Sequence, residues 1–386
     1  MTPARTGRWT EVAFEEVVAH CAFGPRFSGA AYADDGNIAT LRTTDLDDDG
    51  RISYETMPLA NLDEDRFGSH FLAAGDLVIT RSGTCGIAAV FEGFSIPVLP
   101  GAFLIRFRMN ERAEPRFYRY YFNSPAGRSN ILSVARGAVQ QNLNSTNVQA
   151  LRVPLPPVSE QRRIMDVLSA YDDLIENNRR RMALLEEAAQ QLYREWFVRL
   201  RFPGHEHTRI TNGVPEGWER GAFETALVLQ RGFDLPVQAR EDGDVPISGS
   251  TGINGFHNKA KVTGPGVVTG RSGTLGEVHY ITGEFWPLNT ALWVKEFRRV
   301  TPLFALFLMR EMDLKQFNGG VSVPTLDRKT VHRAQILTPP KSLLMSFDEF
   351  SAPLFAQAGN LRLQTEKLRA ARDLLLPRLM SGEIAV

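Results

Sequence analysis

The longest uninterrupted hydrophobic pattern in the chain runs from Glu160 to Phe197, a stretch with no Gly and no Pro. Ile164, Leu168, Tyr171, Ile175, Asn178, Met182, Leu185, Ala189, Leu192 and Trp196 follow a strict four–three spacing. That spacing keeps one seam on one helix face, the heptad signature of a coiled coil. Only Asn178 puts a polar group in the seam. At about 1.5 Å per residue the helix would span roughly 55 Å. A second helical stretch runs from about Leu343 to Leu379, where Phe347, Leu354, Leu361, Leu368 and Leu375 recur every seven residues. Ala358, Thr365 and Leu379 lie between them, and Arg372 departs from the apolar pattern. Pro353 and Pro377 are expected to bound or kink this helix.

Ahead of the first long helix the pattern shortens to that of strands and turns. DLVIT (Asp76 to Thr80) and AFLIRFR (Ala102 to Arg108) read as strands, and DDDG (Asp47 to Gly50) as a turn. PRFYRYYFNSPAGR (Pro115 to Arg128) reads as a helix that Pro115 starts and Ser124-Pro125 ends. VPLPP (Val153 to Pro157) is extended, and Pro203-Gly204 stops the first long helix.

The second half copies the first. RSGTCG (Arg81 to Gly86) recurs as RSGTLG (Arg271 to Gly276), and Trp9 and Phe14 match Trp218 and Phe223. Pro97 pairs with Pro287 in this alignment, and GAVQQNLN (Gly137 to Asn144) with GVSVPTLD (Gly320 to Asp327). An internal repeat of this kind decides the fold. The order is domain, helix, domain, helix: residues 1–157, 158–203, 204–340 and 341–386. The expected class is α+β, with two similar mixed α/β domains and two long helices packed as an antiparallel coiled coil about a pseudo-twofold axis.

The 386 residues suffice for two or three domains, and hydrophobic residues make up 43% of them, enough for real cores. Formal net charge is zero, so nucleic-acid or membrane binding would have to come from local patches. No apolar run is long enough to span a bilayer, and the start lacks the apolar core of a secretory signal. Two cysteines, Cys21 and Cys85, make no disulfide framework. A cytoplasmic location is the expectation. No phosphate-loop motif and no dinucleotide or S-adenosylmethionine glycine fingerprint is present. His205 and His207 lack further ligands, and Asp45 to Asp49 reads as a turn. The chain reads as a non-catalytic binding subunit.

Two similar domains on long helices suit a bipartite target, and duplex DNA offers equivalent groove surfaces roughly 34 Å apart per turn. Arg81, Ser82, Gly83 and Thr84, and Arg271, Ser272, Gly273 and Thr274, each follow a strand. Gly and small hydroxyls admit a phosphate close to the backbone, with Arg to pair with it. The same residues also suit a tight turn with a solvated Arg. Gln140, Gln141, Asn142 and Asn144 form an amide-rich loop able to read adenine, or a polar turn. The second copy has no amide there. Ser248 and Ser250, with Thr251, Asn254 and His257, lie in a Gly-rich loop that also carries Lys259 and Lys261. The aromatic run Phe117, Tyr118, Tyr120, Tyr121 and Phe122 reads as helix core. A protein-binding adaptor with duplicated domains is the alternative.

The sequence resembles the specificity subunit of type I restriction–modification systems. The resemblance is carried by VPLPPVSEQRRI (Val153 to Ile164), REWFVRLRFPG (Arg194 to Gly204), LLLPRLMSGEI (Leu374 to Ile384), GDLVITRSGTCG, PISGSTGINGFH and VPEGW (Val214 to Trp218). It implies that each globular segment is a target recognition domain for one half of an interrupted double-stranded DNA sequence. It implies that the helices set the spacing and dock two methyltransferase subunits, with restriction (translocase and endonuclease) subunits completing the complex. S-adenosylmethionine, ATP and Mg2+ would belong to those partners and no cofactor to this chain. The first domain begins Gly7-Arg8-Trp9 instead of a full Pro-x-Gly-Trp. The second junction, ILTPPKSLLMSF, lacks the Glu-Gln pair of the first.

Overall fold

The computed structural model describes residues 9–135, 142–320 and 323–386. The chain falls into two compact units. One is the chain up to Glu176 together with Glu366–Val386, and the other is Asn177–Thr365. Each unit therefore contains one end of each long helix.

The repeat is visible in the topology of three sheets. In the first unit a four-stranded antiparallel sheet is ordered Val18–Phe23, Leu104–Met109, Leu77–Thr80, Ala88–Val90. In the second the order is Leu227–Arg231, Ala291–Phe297, Gly266–Gly270, Val278–Ile281, the same sequence of strands. A three-stranded sheet centres on Ile38–Leu41, flanked by Leu59–Ala60 antiparallel and Val98–Pro100 parallel. Its copy centres on Val245–Gly249, flanked by Gly252–His257 and Trp286–Pro287 in the same senses. Finally, Thr10–Ala13 pairs with Arg152–Leu155, and Glu219–Ala222 with Gln335–Thr338. Phe14 and Phe223 are matched in detail. Each is fully buried, and its backbone N–H donates to a carbonyl of the facing segment, Leu151 or Ala334, at 2.8 Å.

The strands near Leu77 and Leu104 form as their alternation and apolar content predict. The 115–128 segment differs. Pro115–Asn123 and Pro125–Ser133 are two helices, and Ser124 both ends the first and caps the second by accepting from the Gly127 N–H at 3.1 Å. The five aromatics of the first of these helices are buried in the unit's core, as the pattern indicated.

Pro287 is also re-paired. The Leu288 N–H donates to Ser248 O at 2.8 Å, as Gly101 N–H does to Leu41 O. Pro100, and not Pro97, is therefore the counterpart of Pro287. Proline spacing was a poor guide because the alignment is set by backbone pairing to the neighbouring strand.

The first long helix is Val158–Tyr193, continued by a π-helical turn at Arg194–Val198. Every position of its predicted seam is buried or half-buried, Asn178 included. Its start is anchored by Gln161, which has no exposed surface. The Gln161 side chain accepts from the Glu114 N–H at 2.7 Å and donates to the carbonyls of Arg112 and Pro156, each at 2.9 Å. The second junction has no such residue, so this tie exists once. The second long helix, Lys341–Met380, runs without a break through Pro353 and Pro377. Both prolines are exposed, so the carbonyls they leave unpaired can be hydrated.

Helix packing is antiparallel: Asp172 meets Arg372 in one unit, and Tyr193 and Trp196 meet Phe347 in the other. In the second unit Tyr193, Phe197, Phe304, Phe307 and Phe347 form an aromatic cluster, with centroid separations from 4.9 to 6.1 Å. In the first unit the joint is ionic. Arg372 occupies a seam position with 7% of its side chain exposed. It donates to Asp172 at 2.7 Å and to Asp49 at 3.0 Å. The Tyr120 hydroxyl donates to Asp172 at 2.5 Å, and Arg51 and Arg119 donate to it at 3.3 Å each. The acidic turn is thus a docking point for the helix pair, and Arg372 belongs to the seam that its charge appeared to interrupt.

Burial alone would push the Asp172 carboxyl up, but hydrogen bonds from Tyr120 and Arg372 outweigh it and hold the carboxyl below its usual range. A depressed carboxylate adds stability that is complete above its unfolded value, about 4, and is lost as pH falls through the folded value. Replacing Arg372 with Ala removes a buried cationic partner from both Asp172 and Asp49. The expected loss is about 3–5 kcal/mol in chemical denaturation at neutral pH. For Asp172→Asn, the stability difference from the parent protein should shrink as pH drops below about 4.

Candidate nucleic-acid interface

The two RSGT loops occupy the same place in the two units. Each closes a hairpin, Leu77–Thr80 to Ala88–Val90 in one and Gly266–Gly270 to Val278–Ile281 in the other. The left-handed turn at Gly83 (φ 76°) recurs at Gly273 (φ 87°), where an L side chain would be strained. Arg81 N–H donates to Phe103 O at 2.9 Å and Arg81 O accepts from Leu143 N–H at 2.9 Å. Arg271 N–H donates to Thr290 O at 2.8 Å and Arg271 O accepts from Leu326 N–H at 2.7 Å. Short bridges Ser82–Asn142 and Ser272–Thr325 lock the neighbouring segment beside each loop. The tight-turn reading and the binding reading are therefore compatible. The Arg backbone N–H and C=O are both used in the turn, and the half-exposed guanidinium stands beside it.

The predicted residues divide by placement. Gly83, Thr84, Gly273 and Thr274 are exposed at the loop tips, Ser272 is half-buried, and Ser82 is buried. Asn142 is exposed and its Oδ1 accepts from Arg81 Nε at 3.2 Å. Asn144 caps the short helix Ser145–Gln149 by accepting from Thr146 N–H, and Asp327 does the same for Arg328–Arg333. Gln140 and Gln141 lie outside the described residues. Ser248 has no exposed surface and sits inside a strand, so it presents nothing to a ligand at the surface. Ser250 is half-buried and approaches Gly270 at the base of the second loop. Lys259 and Lys261 are exposed, and the Lys261 ammonium lies 4.9 Å above the Trp286 ring. His257 is buried and its Nδ1 accepts from Glu241 N–H at 3.1 Å, a structural role. Arg42 is bound to Asp45 and to the Thr56 carbonyl.

Reasoning from sequence missed several neighbours. In the second unit an open cleft of about 460 Å³ is lined by Arg231, Arg271, Arg328 and Lys329, with Asp327 the carboxylate among its lining residues. Hydrogen bonds from the Thr330 hydroxyl and the Lys329 amide hold the Asp327 carboxyl below its ordinary range. In the first unit the Arg81 guanidinium lies 4.5 Å from the centroid of Phe23, which is 37% exposed. The Phe23-Gly24 and Arg231-Gly232 dipeptides could have been aligned from the repeat alone. Gly24 and Gly232 both pack against backbone carbonyls where a Cβ would collide.

With this geometry in view, residues 7–187 match the type I restriction modification DNA specificity domain. The type I restriction enzyme MjaIX specificity subunit of Methanocaldococcus jannaschii is 24% identical over 298 residues, covering 70% of this chain and 69% of that one. The EcoKI specificity subunit of Escherichia coli is 28% identical over 138 residues, 33% of this chain and 29% of its own length. The crystal structure of the S subunit of a type I system from M. genitalium shares the fold across 98% of both chains, with a TM-score of 0.59 at 14% identity. The first half of the chain thus matches a type I DNA specificity domain, and the relatives that the chain resembles are specificity subunits of type I restriction enzymes. Among the described residues no helix is long and apolar enough to cross a membrane.

A methyl group at Gly270 would collide with the Thr274 carbonyl, whereas one at Gly283 would meet nothing. Gly270→Ala should lower stability by about 1–3 kcal/mol by urea titration. Gly283→Ala should stay within about 0.5 kcal/mol of the parent.

Proposed function

We propose that this chain binds an interrupted, two-part sequence in double-stranded DNA, one half-site to each unit, and presents it to partner subunits. Two methyltransferase subunits would dock on the long helices, and restriction subunits would complete an ATP-dependent nuclease. S-adenosylmethionine, ATP and Mg2+ would act in those partners. The observation that carries the reading is the duplicated Arg frame. Arg81 and Arg271 are held by the same pair of backbone hydrogen bonds in units whose surrounding side chains differ. A common frame with different surroundings is what two readers of different half-sites require. An adaptor for protein ligands gains nothing from an Arg placed beside a loop tip that small residues leave open to phosphate.

Co-expression with the methyltransferase partner, followed by genome-wide mapping of methylated adenines, should reveal a two-part motif. A continuous motif, or none, would overturn the reading. The double substitution Arg81→Ala and Arg271→Ala should weaken duplex binding and reduce the salt slope by about 2, at about 0.9 per phosphate contact. Unchanged binding would favour the adaptor. Adding one matched heptad to each long helix should lengthen the unread spacer by about three base pairs, since seven residues add about 10.5 Å.

A further inference from the structure

The backbone frame equates positions around Arg81 and Arg271 one by one. Phe23 faces Ile105 across its sheet as Arg231 faces Leu292, and each precedes the packed glycine. Phe103 and Thr290 hold the same Arg N–H. Asn142 and Thr325 form the same bridge. Asn144 and Asp327 are the same helix cap, so Ser145 and Thr146 stand where Arg328 and Lys329 stand. Around one shared Arg, the first unit therefore places Phe23, Phe103, Asn142, Ser145 and Thr146. The second places Arg231, Thr290, Thr325, Arg328 and Lys329.

The chemistry of the two sets is different. In the second unit three further cations surround Arg271, and Arg231, Arg328 and Lys329 are all exposed. Such a cluster is suited to the phosphate backbone, which carries no sequence information. In the first unit no position equivalent to those three carries a charge. Phe23 is 37% and Phe103 57% exposed, and the single Arg81 guanidinium also lies against the Phe23 face and the Asn142 amide. Exposed aromatics contact thymine methyl groups or wedge into base steps, and amides pair with adenine edges.

We infer that the two recognition units divide the work unequally. The second cleft holds duplex DNA chiefly through phosphates by Arg231, Arg271, Arg328 and Lys329, and the first reads its half-site chiefly through Phe23, Phe103 and Asn142. This rests on the DNA-binding reading above and adds which unit supplies the electrostatic part and which residues supply it. It follows that the salt dependence of binding originates mainly in the second unit, although the chain as a whole carries no net charge.

The test uses the full chain in complex with its methyltransferase subunits, a duplex bearing the mapped target, and affinities at several salt concentrations. Arg231→Ala, Arg328→Ala and Lys329→Ala combined should lower the slope of log affinity against log salt by about 2.7, or about 0.9 for each cation, with half-site preference retained. Phe23→Ala with Asn142→Ala should leave the slope unchanged and reduce discrimination at the first half-site by about 10-fold or more. Phe23→Arg should raise the slope by about 0.9. A triple variant with an unaltered slope, or a first-unit variant whose slope falls as far, overturns the inference while the DNA-binding reading survives. A parent complex that does not bind the duplex removes that reading first. Circular dichroism on each variant separates lost binding from lost fold.

Discussion

The buried charge pair between Arg372 and Asp172 is the constraint on which the first unit depends. Two desolvated ions are tolerated only when each is fully engaged. Arg372 is engaged by Asp172 and Asp49, and Asp172 by Tyr120, Arg119 and Arg51 as well. The participants come from both long helices, the acidic turn and the aromatic helix Pro115–Asn123. A shift of one helix by a turn would strand at least one of these charges, so the pairing admits a single register. An all-apolar seam would have been more tolerant of slippage, because one leucine substitutes for another at the contact. The second unit holds its helix ends by rings, with Tyr193, Trp196 and Phe197 around Phe347. Large rings set register by shape, through edge-on packing that few other alignments satisfy.

Upon these anchored helices each unit carries the same backbone frame and a different set of side chains. The frame is mostly backbone, the Arg N–H and C=O bonds and the packed glycine, with a side-chain helix cap from Asn144 or Asp327. Side chains pointing away from it are free to diverge. That separation allows Phe23 to correspond to Arg231 and Ser145 to Arg328 without any cost to the fold. It also explains why a neutral chain can carry a cationic cleft. Acidic residues elsewhere balance the sum, and a binding surface is a matter of local arrangement.

Much of this was legible in the residues. The heptad seams, the RSGT repeat, the matched Phe14 and Phe223 and the aromatic core helix all follow from short-range periodicity or from self-similarity, and the structure bears them out. The errors have a common origin. Arg372 looked like a break in the seam because the carboxylates that accept it in the interior, Asp172 and Asp49, lie 200 and 323 residues away in the chain. Pro97 was paired with Pro287 because both are prolines, whereas strand pairing selects Pro100. Ser124-Pro125 read as a stop, since nothing local says that a second helix begins on the same serine. Ser248 looked available because its neighbours are Gly and Ser, while its burial depends on the strands beside it.

The sequence by itself determined the elements and their duplication, since helix periodicity, turn glycines and repeated motifs are properties of neighbours along the chain. It also carried the resemblance to type I specificity subunits, through motifs at the helix junctions. Tertiary structure alone decided which charges are buried and paired, which candidate residues reach the surface, and which side chains gather around each Arg. Those depend on distances between segments far apart in sequence, such as strand Leu227–Arg231 and helix Arg328–Arg333. Desolvation and hydrogen-bond geometry, which assign each side chain a role, exist only after such segments have met.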